Sequence, residues 1–155
     1  MIRVGDVAPQ IDAMTSLGQR FSLSEQDGLC TVLYFFPKAF TYHCTRETRY
    51  FSDNHVELML AGASVVGIST DDLSTQCKFA ASLDARFPLI PDTDQAISRA
   101  YGVLWPLIGL SRRYTFVINP QRVVEAVFHH EFAVEEHRND VLRFVNQKFR
   151  AARGG

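Results

Sequence analysis

Three cysteines, at 30, 44 and 77, stand in a chain of 155 residues, and Cys44 is the one whose neighbours point to chemistry. It opens the segment CTRETRYFSDNHVELML, in which Phe51, His55 and Leu58 recur at helical spacing. The thiol therefore belongs in the first turn of a predicted helix. The first N–H groups of a helix have no internal partner, and the macrodipole places partial positive charge there, so a thiolate is favoured over a thiol. Thiolate is the form of cysteine that attacks electrophiles. A nucleophilic sulfur is the chemistry this position implies.

The other two cysteines read differently. Their separations from Cys44, 14 and 33 residues, match neither a C-x-x-C redox motif nor paired zinc ligands. Cys30 stands before Thr31 to Phe36, a run of β-branched and aromatic residues without polar alternation, which reads as a strand buried on both faces and stopped by Pro37. Cys44 lies past the other end of that strand. At ~3.3 Å per residue the two thiols are roughly 20 Å apart, against a Cα limit of ~7 Å for a disulfide, so Cys30 reads as structural.

Ser64 to Ser69 is a second buried strand, and the Cys44 helix between the two makes a right-handed β-α-β unit. Both strands then end on one edge. The next helix, from about Asp72 to Leu83 with Asp71 or Asp72 as its cap, starts on the edge that carries Cys44. Cys77 lies ~8 Å along that helix at ~1.5 Å per residue. It is the one cysteine with a topological route to Cys44, although closing a bond requires the first turns of one or both helices to unwind. The alternative is a small buried hydrophobe on the face shared with Phe79 or Ala80.

Around this unit, SLGQR is a turn, Phe21 and Leu23 begin a short strand or bridge, and FPLIPDTD is an edge strand followed by a brief helix ending near Tyr101 and Gly102. LWPLIGLS is an apolar loop that could cover the site, form a subunit contact, or pack on its own core. Tyr114 to Ile118 and Val123 to Phe128 flank NPQR as a hairpin, and Val134 to about Ala151 is an amphipathic helix with Val141, Phe144, Val145 and Phe149 on one face. The fold class is α/β, a central mixed β-sheet flanked by helices. One domain spans 1–155, with a frayed tail from about 151.

Composition excludes several classes. Hydrophobic residues make up 46%, and 16 basic residues nearly cancel 17 acidic ones, which describes a globular protein and offers nothing to nucleic acid. The start MIRVGDVAPQIDAM has no signal-peptide pattern, and no apolar run could span a bilayer, so a cytoplasmic location is the expectation. His129 and His130 are adjacent on a strand and cannot share one metal. No cofactor or metal is expected. A cysteine hydrolase is the rival enzyme class and needs His43, His55 or His130 within reach of Cys44.

Pro37, Thr41 and Cys44 together spell P-x-x-x-T-x-x-C, and YFFPKAFT is followed by CTRE. This set is similar to the peroxiredoxins, and within them resembles the bacterioferritin-comigratory, or PrxQ, branch. The G-D-x-A-P opening at Gly5 to Pro9, the pair Tyr101 and Gly102, and the R-x-T-F of Arg113, Thr115 and Phe116 extend the likeness from Gly5 to the last helix. Tyr42 and His43 depart from the Pro and Gly common in that branch and make the rim of the pocket bulkier and more polar. The resemblance implies a thioredoxin-like fold and a thiol-dependent peroxidase acting on hydrogen peroxide and organic hydroperoxides. A thioredoxin-like binding or chaperone module is the reading in which the fold is kept and the chemistry lost.

By the same resemblance Cys44 attacks the peroxide and becomes a sulfenic acid. Thr41 would bond through its hydroxyl to thiolate or peroxide, Pro37 would shield the thiolate, and Arg113, which alone reads as a solvated strand-end charge, would lie against Cys44. Arg112 is out of register by one. Glu47, one turn after Cys44, would orient Arg113 or else remain a surface charge. A resolving cysteine in this branch often stands where this chain has Arg49, or on the Cys77 helix nearer Ala80. The expectation is therefore a one-cysteine cycle with thioredoxin, glutaredoxin or a low-molecular-weight thiol as reductant, the alternative a Cys44 to Cys77 disulfide, and the assembly a monomer or homodimer.

Overall fold

The structure is a computed structural model that describes residues 1–26, 28–105, 107–129 and 134–147, with 134–139 described for backbone alone. Pro106, His130, Phe149 and the tail from 151, all named above, lie outside the described residues.

The buried run becomes β3 (Cys30–Phe35), every residue of which is inaccessible. It is the middle strand of a five-stranded sheet in the order β5-β4-β3-β8-β9, where β4 is Ala63–Ser69, β5 Leu89–Pro91, β8 Tyr114–Ile118 and β9 Val124–His129. β4 and β5 run parallel to their inner neighbours, whereas β8 and β9 are antiparallel, so the sheet is mixed. A small hairpin of β1 (Asp12–Met14) and β2 (Arg20–Ser22) forms a second sheet, tied to β5 where Ser16 N–H donates to the Leu89 carbonyl at 2.9 Å.

The pleat of β3 divides the core. Val32, Tyr34 and Phe36 face α1 (Tyr42–Asp53), α3 (Leu73–Ser82) and α5 (Val134–Val145), whose Phe51, Phe79, Val141 and Val145 pack there. Leu33 and Phe35 face the other way, onto Ile11, Phe21, Tyr101 and Phe116, with Tyr101 carried by α4 (Ala96–Tyr101). Each aromatic ring sealed this way contributes about 1.5–3 kcal/mol relative to exposure. Tyr34 lies across the floor of α1, its ring centroid 4.8 Å from that of Phe51 and its hydroxyl 2.9 Å from Thr48 Oγ1. It fits because its partner on β4 is Gly67, where a Cβ would come within 2.7 Å of Tyr34 Cζ and 2.6 Å of Leu89 Cδ2.

Four expectations change. The helix after Cys44 is two helices, α1 and α2 (His55–Leu60), divided at Asn54, whose side chain donates to the Tyr50 carbonyl at 2.9 Å and competes with helix continuation. Leu23 does not extend β2 but opens a 3-10 turn, Leu23–Glu25. The LWPLIGLS loop contains two short paired strands, β6 (Leu104–Trp105) and β7 (Leu110–Ser111), and Leu107 at its tip is fully exposed and not packed on a core. Cys77 is exposed and does not share the buried face of α3, which belongs to Gln76, Phe79 and Ala80.

Candidate active site

β3 ends at Phe35, and the chain passes through Pro37 to Thr41 before α1 begins at Tyr42, with Thr41 as the N-cap in extended conformation. Thr45 N–H is the first amide to find a carbonyl four residues back, Thr41 O at 2.9 Å. The amides of residues 42 to 44 have no such carbonyl inside the helix, and Cys44 occupies the third helical position with its side chain buried. The positive potential of the helix start therefore acts on the sulfur, as the position in the sequence implied.

Arg113 arrives from the opposite direction. Because β8 is antiparallel to β3 with Tyr114 opposite Phe35, the residue before β8 stands beside the end of β3. The guanidinium donates from Nη2 to Cys44 Sγ at 3.3 Å and from Nη1 to Glu47 Oε1 at 2.7 Å. Glu47 is wholly buried and Arg113 3% exposed, so neither is a surface charge. Burial alone would weaken the Arg113 proton, but the charges of Glu47 and Cys44 and the bonds to both outweigh it and raise its pKa. The register that seated Arg113 leaves Arg112 beside the Tyr114 ring, 5.6 Å from its centroid.

The loop shows what sequence alone did not. Thr41 Oγ1 donates to the Lys38 carbonyl at 2.6 Å, so its proton is not directed at the sulfur. Pro37 is half-buried at the head of that loop. Phe40 takes a left-handed φ of 67° and sets its ring edge-on to Phe79, with centroids 5.2 Å apart. Tyr42, expected on the rim, is 67% exposed and accepts from Arg46 Nη1 at 3.0 Å. Asp71, expected only as a cap, accepts the Ala39 N–H at 2.8 Å, while the cap of α3 is Asp72, which takes Thr75 N–H. Its signal was legible in outline, since an acid just after β4 must lie on the edge that carries Cys44.

Among the described residues, Cys30, Cys77, His55 and His43 do not join the pair that Cys44 makes with Arg113. Cys30 is buried at the far end of β3, where burial and the Glu125 charge push its thiol up to about 12. Cys77 directs its sulfur at the Ser16 carbonyl, 3.7 Å away. Phe79, two residues later and so about 200° round the helix, is the α3 residue that meets Phe36 and Phe40 beside the loop of residues 37–41. Cys77 thus occupies the opposite flank. His55 lines a surface pocket of about 300 Å³ with Ser52, Asp53, Val56, Leu83, Asp84 and Arg86, a lining that does not include Cys44. His43, one residue before Cys44, is turned about 100° from it and meets the Tyr42 ring. A Cys-His hydrolase pair is absent among the described residues.

A thiol at a helix start, an arginine against the sulfur and a buried carboxylate behind the arginine define a class, and the family comparison agrees. The model of the AhpC/TSA family matches residues 4–127, and the chain belongs to that family. Among its relatives, chloroplastic peroxiredoxin Q of Gentiana triflora is 34% identical over 142 residues, covering 91% of this chain and 65% of that one. The peroxiredoxin Q of Populus jackii is 32% identical over 145 residues, covering 93% and 68%. The chain thus spans about two thirds of the length of these curated relatives. Among solved structures, peroxidoxin BcpB of Mycobacterium tuberculosis superposes with a TM-score of 0.88 at 32% identity, covering 96% of this chain and 99% of that one. Peroxiredoxin Q of Xanthomonas campestris gives 0.81 at 29%, covering 89% and 90%. These neighbours carry the thioredoxin-like fold that the resemblance implied.

Proposed function

We propose that this chain is a thiol-dependent peroxidase in which Cys44 reduces hydrogen peroxide and organic hydroperoxides. The observation that carries the reading is the Arg113 guanidinium held between Cys44 Sγ and the buried Glu47 carboxylate. The thiolate attacks the terminal peroxide oxygen and the O–O bond breaks. Sulfur becomes a sulfenic acid, and the departing alkoxide or hydroxide takes a proton to leave as alcohol or water. Arg113 and the Cys44 N–H stabilise the negative charge that moves onto the peroxide oxygens. Thr41, its own proton given to Lys38, offers oxygen lone pairs to the peroxide O–H. Pro37 covers the sulfur from bulk water.

The reductant is an external thiol. It attacks the sulfenic sulfur, releases water and forms a mixed disulfide, which a second thiol cleaves to return Cys44. The exposed flank position of Cys77 supports this one-cysteine cycle over a Cys44 to Cys77 disulfide. Thioredoxin, glutaredoxin and low-molecular-weight thiols are the candidates, and a reducing compartment, the cytoplasm, is the setting we propose. A related structure, the bacterioferritin comigratory protein of Xanthomonas campestris, is described by its alkyl peroxide reduction activity, which supports including organic hydroperoxides.

The test is intact mass and peptide mapping without reductant after one equivalent of hydrogen peroxide meets the reduced protein. Oxygen on Cys44 alone is expected. A loss of two hydrogens linking Cys44 to Cys77 within one chain would replace the one-cysteine cycle. Unreacted Cys44 with hydrogen peroxide and with an alkyl hydroperoxide would favour the binding or chaperone module.

A further inference from the structure

The peptide group between Lys38 and Ala39 is held on both sides. Its N–H goes to Asp71 Oδ2 at 2.8 Å, and its carbonyl accepts the Thr41 hydroxyl at 2.6 Å. Behind Asp71 stands a buried chain of donors. Ser69 Oγ gives its proton to the same Oδ2 at 2.7 Å, and Gln76 Nε2 donates to Ser69 Oγ at 3.0 Å and to the Ile90 carbonyl at 2.7 Å. Ser69 and Gln76 are fully buried, so β4, α3 and β5 together fix the carboxylate.

We propose that Asp71 is a positioning residue for the peroxide-binding loop, acting on Thr41 through the Lys38–Ala39 peptide. The proposal rests on the peroxidase reading above. A carboxylate at the N–H end polarises the amide and makes its carbonyl oxygen a stronger acceptor. The Thr41 proton is thereby committed to Lys38, and the hydroxyl presents lone pairs to an incoming peroxide O–H. Without Asp71 the peptide plane is free to turn, and with it the hydroxyl rotor. Asp71 touches neither substrate nor sulfur. Its effect belongs to peroxide recognition and not to the nucleophilicity of Cys44, which Arg113 and the helix end govern.

Asp71→Ala and Asp71→Asn in the full chain separate these contributions. Cys44 oxidation by hydrogen peroxide is followed by rapid-quench mass spectrometry, and Cys44 alkylation by iodoacetamide, mapped by peptide, is followed across pH. Asp71→Ala is expected to slow peroxide oxidation by about ten-fold or more, a size that small misplacement of a binding group reaches. Asp71→Asn, whose amide oxygen still accepts but carries no charge, falls between it and the wild type. Alkylation rate and pH profile stay at wild-type values in both. Added to Thr41→Val, Asp71→Ala costs less than about two-fold, because the group it positions is already gone. Wild-type peroxide rates in both Asp71 variants would overturn the proposal, as would oxidation and alkylation falling in parallel or full additivity with Thr41→Val. If Asp71→Ala does not fold, the same comparison on Asp71→Asn decides. A wild-type chain inert to peroxide would instead overturn the peroxidase reading.

Discussion

Glu47 and Arg113, 66 positions apart, form an ion pair of 2.7 Å with both side chains removed from water. A pair this deep is not a stability device, since taking two charges out of water offsets most of their attraction. What it secures is direction, with Nη1 fixed on Glu47 and Nη2 left aimed at the sulfur.

Removing the carboxylate should therefore damage both fold and rate. Glu47→Ala is expected to cost about 3–5 kcal/mol, the usual loss when one partner of a buried pair is deleted, and to slow Cys44 oxidation by about ten-fold or more. Urea unfolding and peroxide kinetics read the two effects. Unchanged values for both would show the pair to be idle.

Cys77 and Cys30 should separate by labelling. In native protein at pH 8, iodoacetamide is expected to modify Cys77 and to spare Cys30, which is sealed in the sheet and raised to about 12 by burial and Glu125. Urea should expose Cys30 to labelling. Peptide mapping that finds Cys30 modified as fast as Cys77 in folded protein would contradict its placement.

His55 gives a pH signature with a definite sign. Burial, and secondly Arg86, lower its pKa below the ordinary imidazole value. Between those two values the unfolded chain holds a proton that the folded chain does not. The contribution to stability is thus complete above the ordinary value and is lost as pH falls through the folded one. His55→Gln should flatten part of the fall in Tm between pH 7.5 and pH 5. An identical fall in both proteins would remove His55 as its source.

Gly67 should tolerate no side chain. A Cβ there meets Tyr34 and Leu89 at under 3 Å inside a packed sheet, so Gly67→Ala is expected to cost about 1–3 kcal/mol. Chemical denaturation measures it. A neutral result would mean that the Tyr34 ring can slide without loss.

Much of this molecule was legible in its sequence because the informative signals were local or topological. Strand β3, the helix start at Cys44 and the shared edge of β3 and β4 followed from hydrophobic runs and one handedness rule. The division of α1 from α2 was not legible, because Phe51, His55 and Leu58 keep helical spacing across Asn54 and only its side-chain bond to Tyr50 reveals the break. The helix that carries Cys77 is legible but its face is not, since one residue changes direction by about 100°, and the structure excludes only the buried alternative shared with Phe79 and Ala80. Arg113 needed the motif. Nothing in its neighbours distinguishes it from Arg112 until the Tyr114 to Phe35 register is known. The role of Asp71 lies in a bond across 32 positions, beyond any periodicity.

The antiparallel seating of β8 beside β3 also orders events in the life of the chain. Cys44 leaves the ribosome 69 residues ahead of Arg113, and the two meet only when that long-range strand pair has closed. Such pairings carry a loop-closure cost and form late in folding. A nascent or truncated chain therefore carries the cysteine without its guanidinium, and under the activity proposed above peroxide turnover reports that the whole sheet has been assembled.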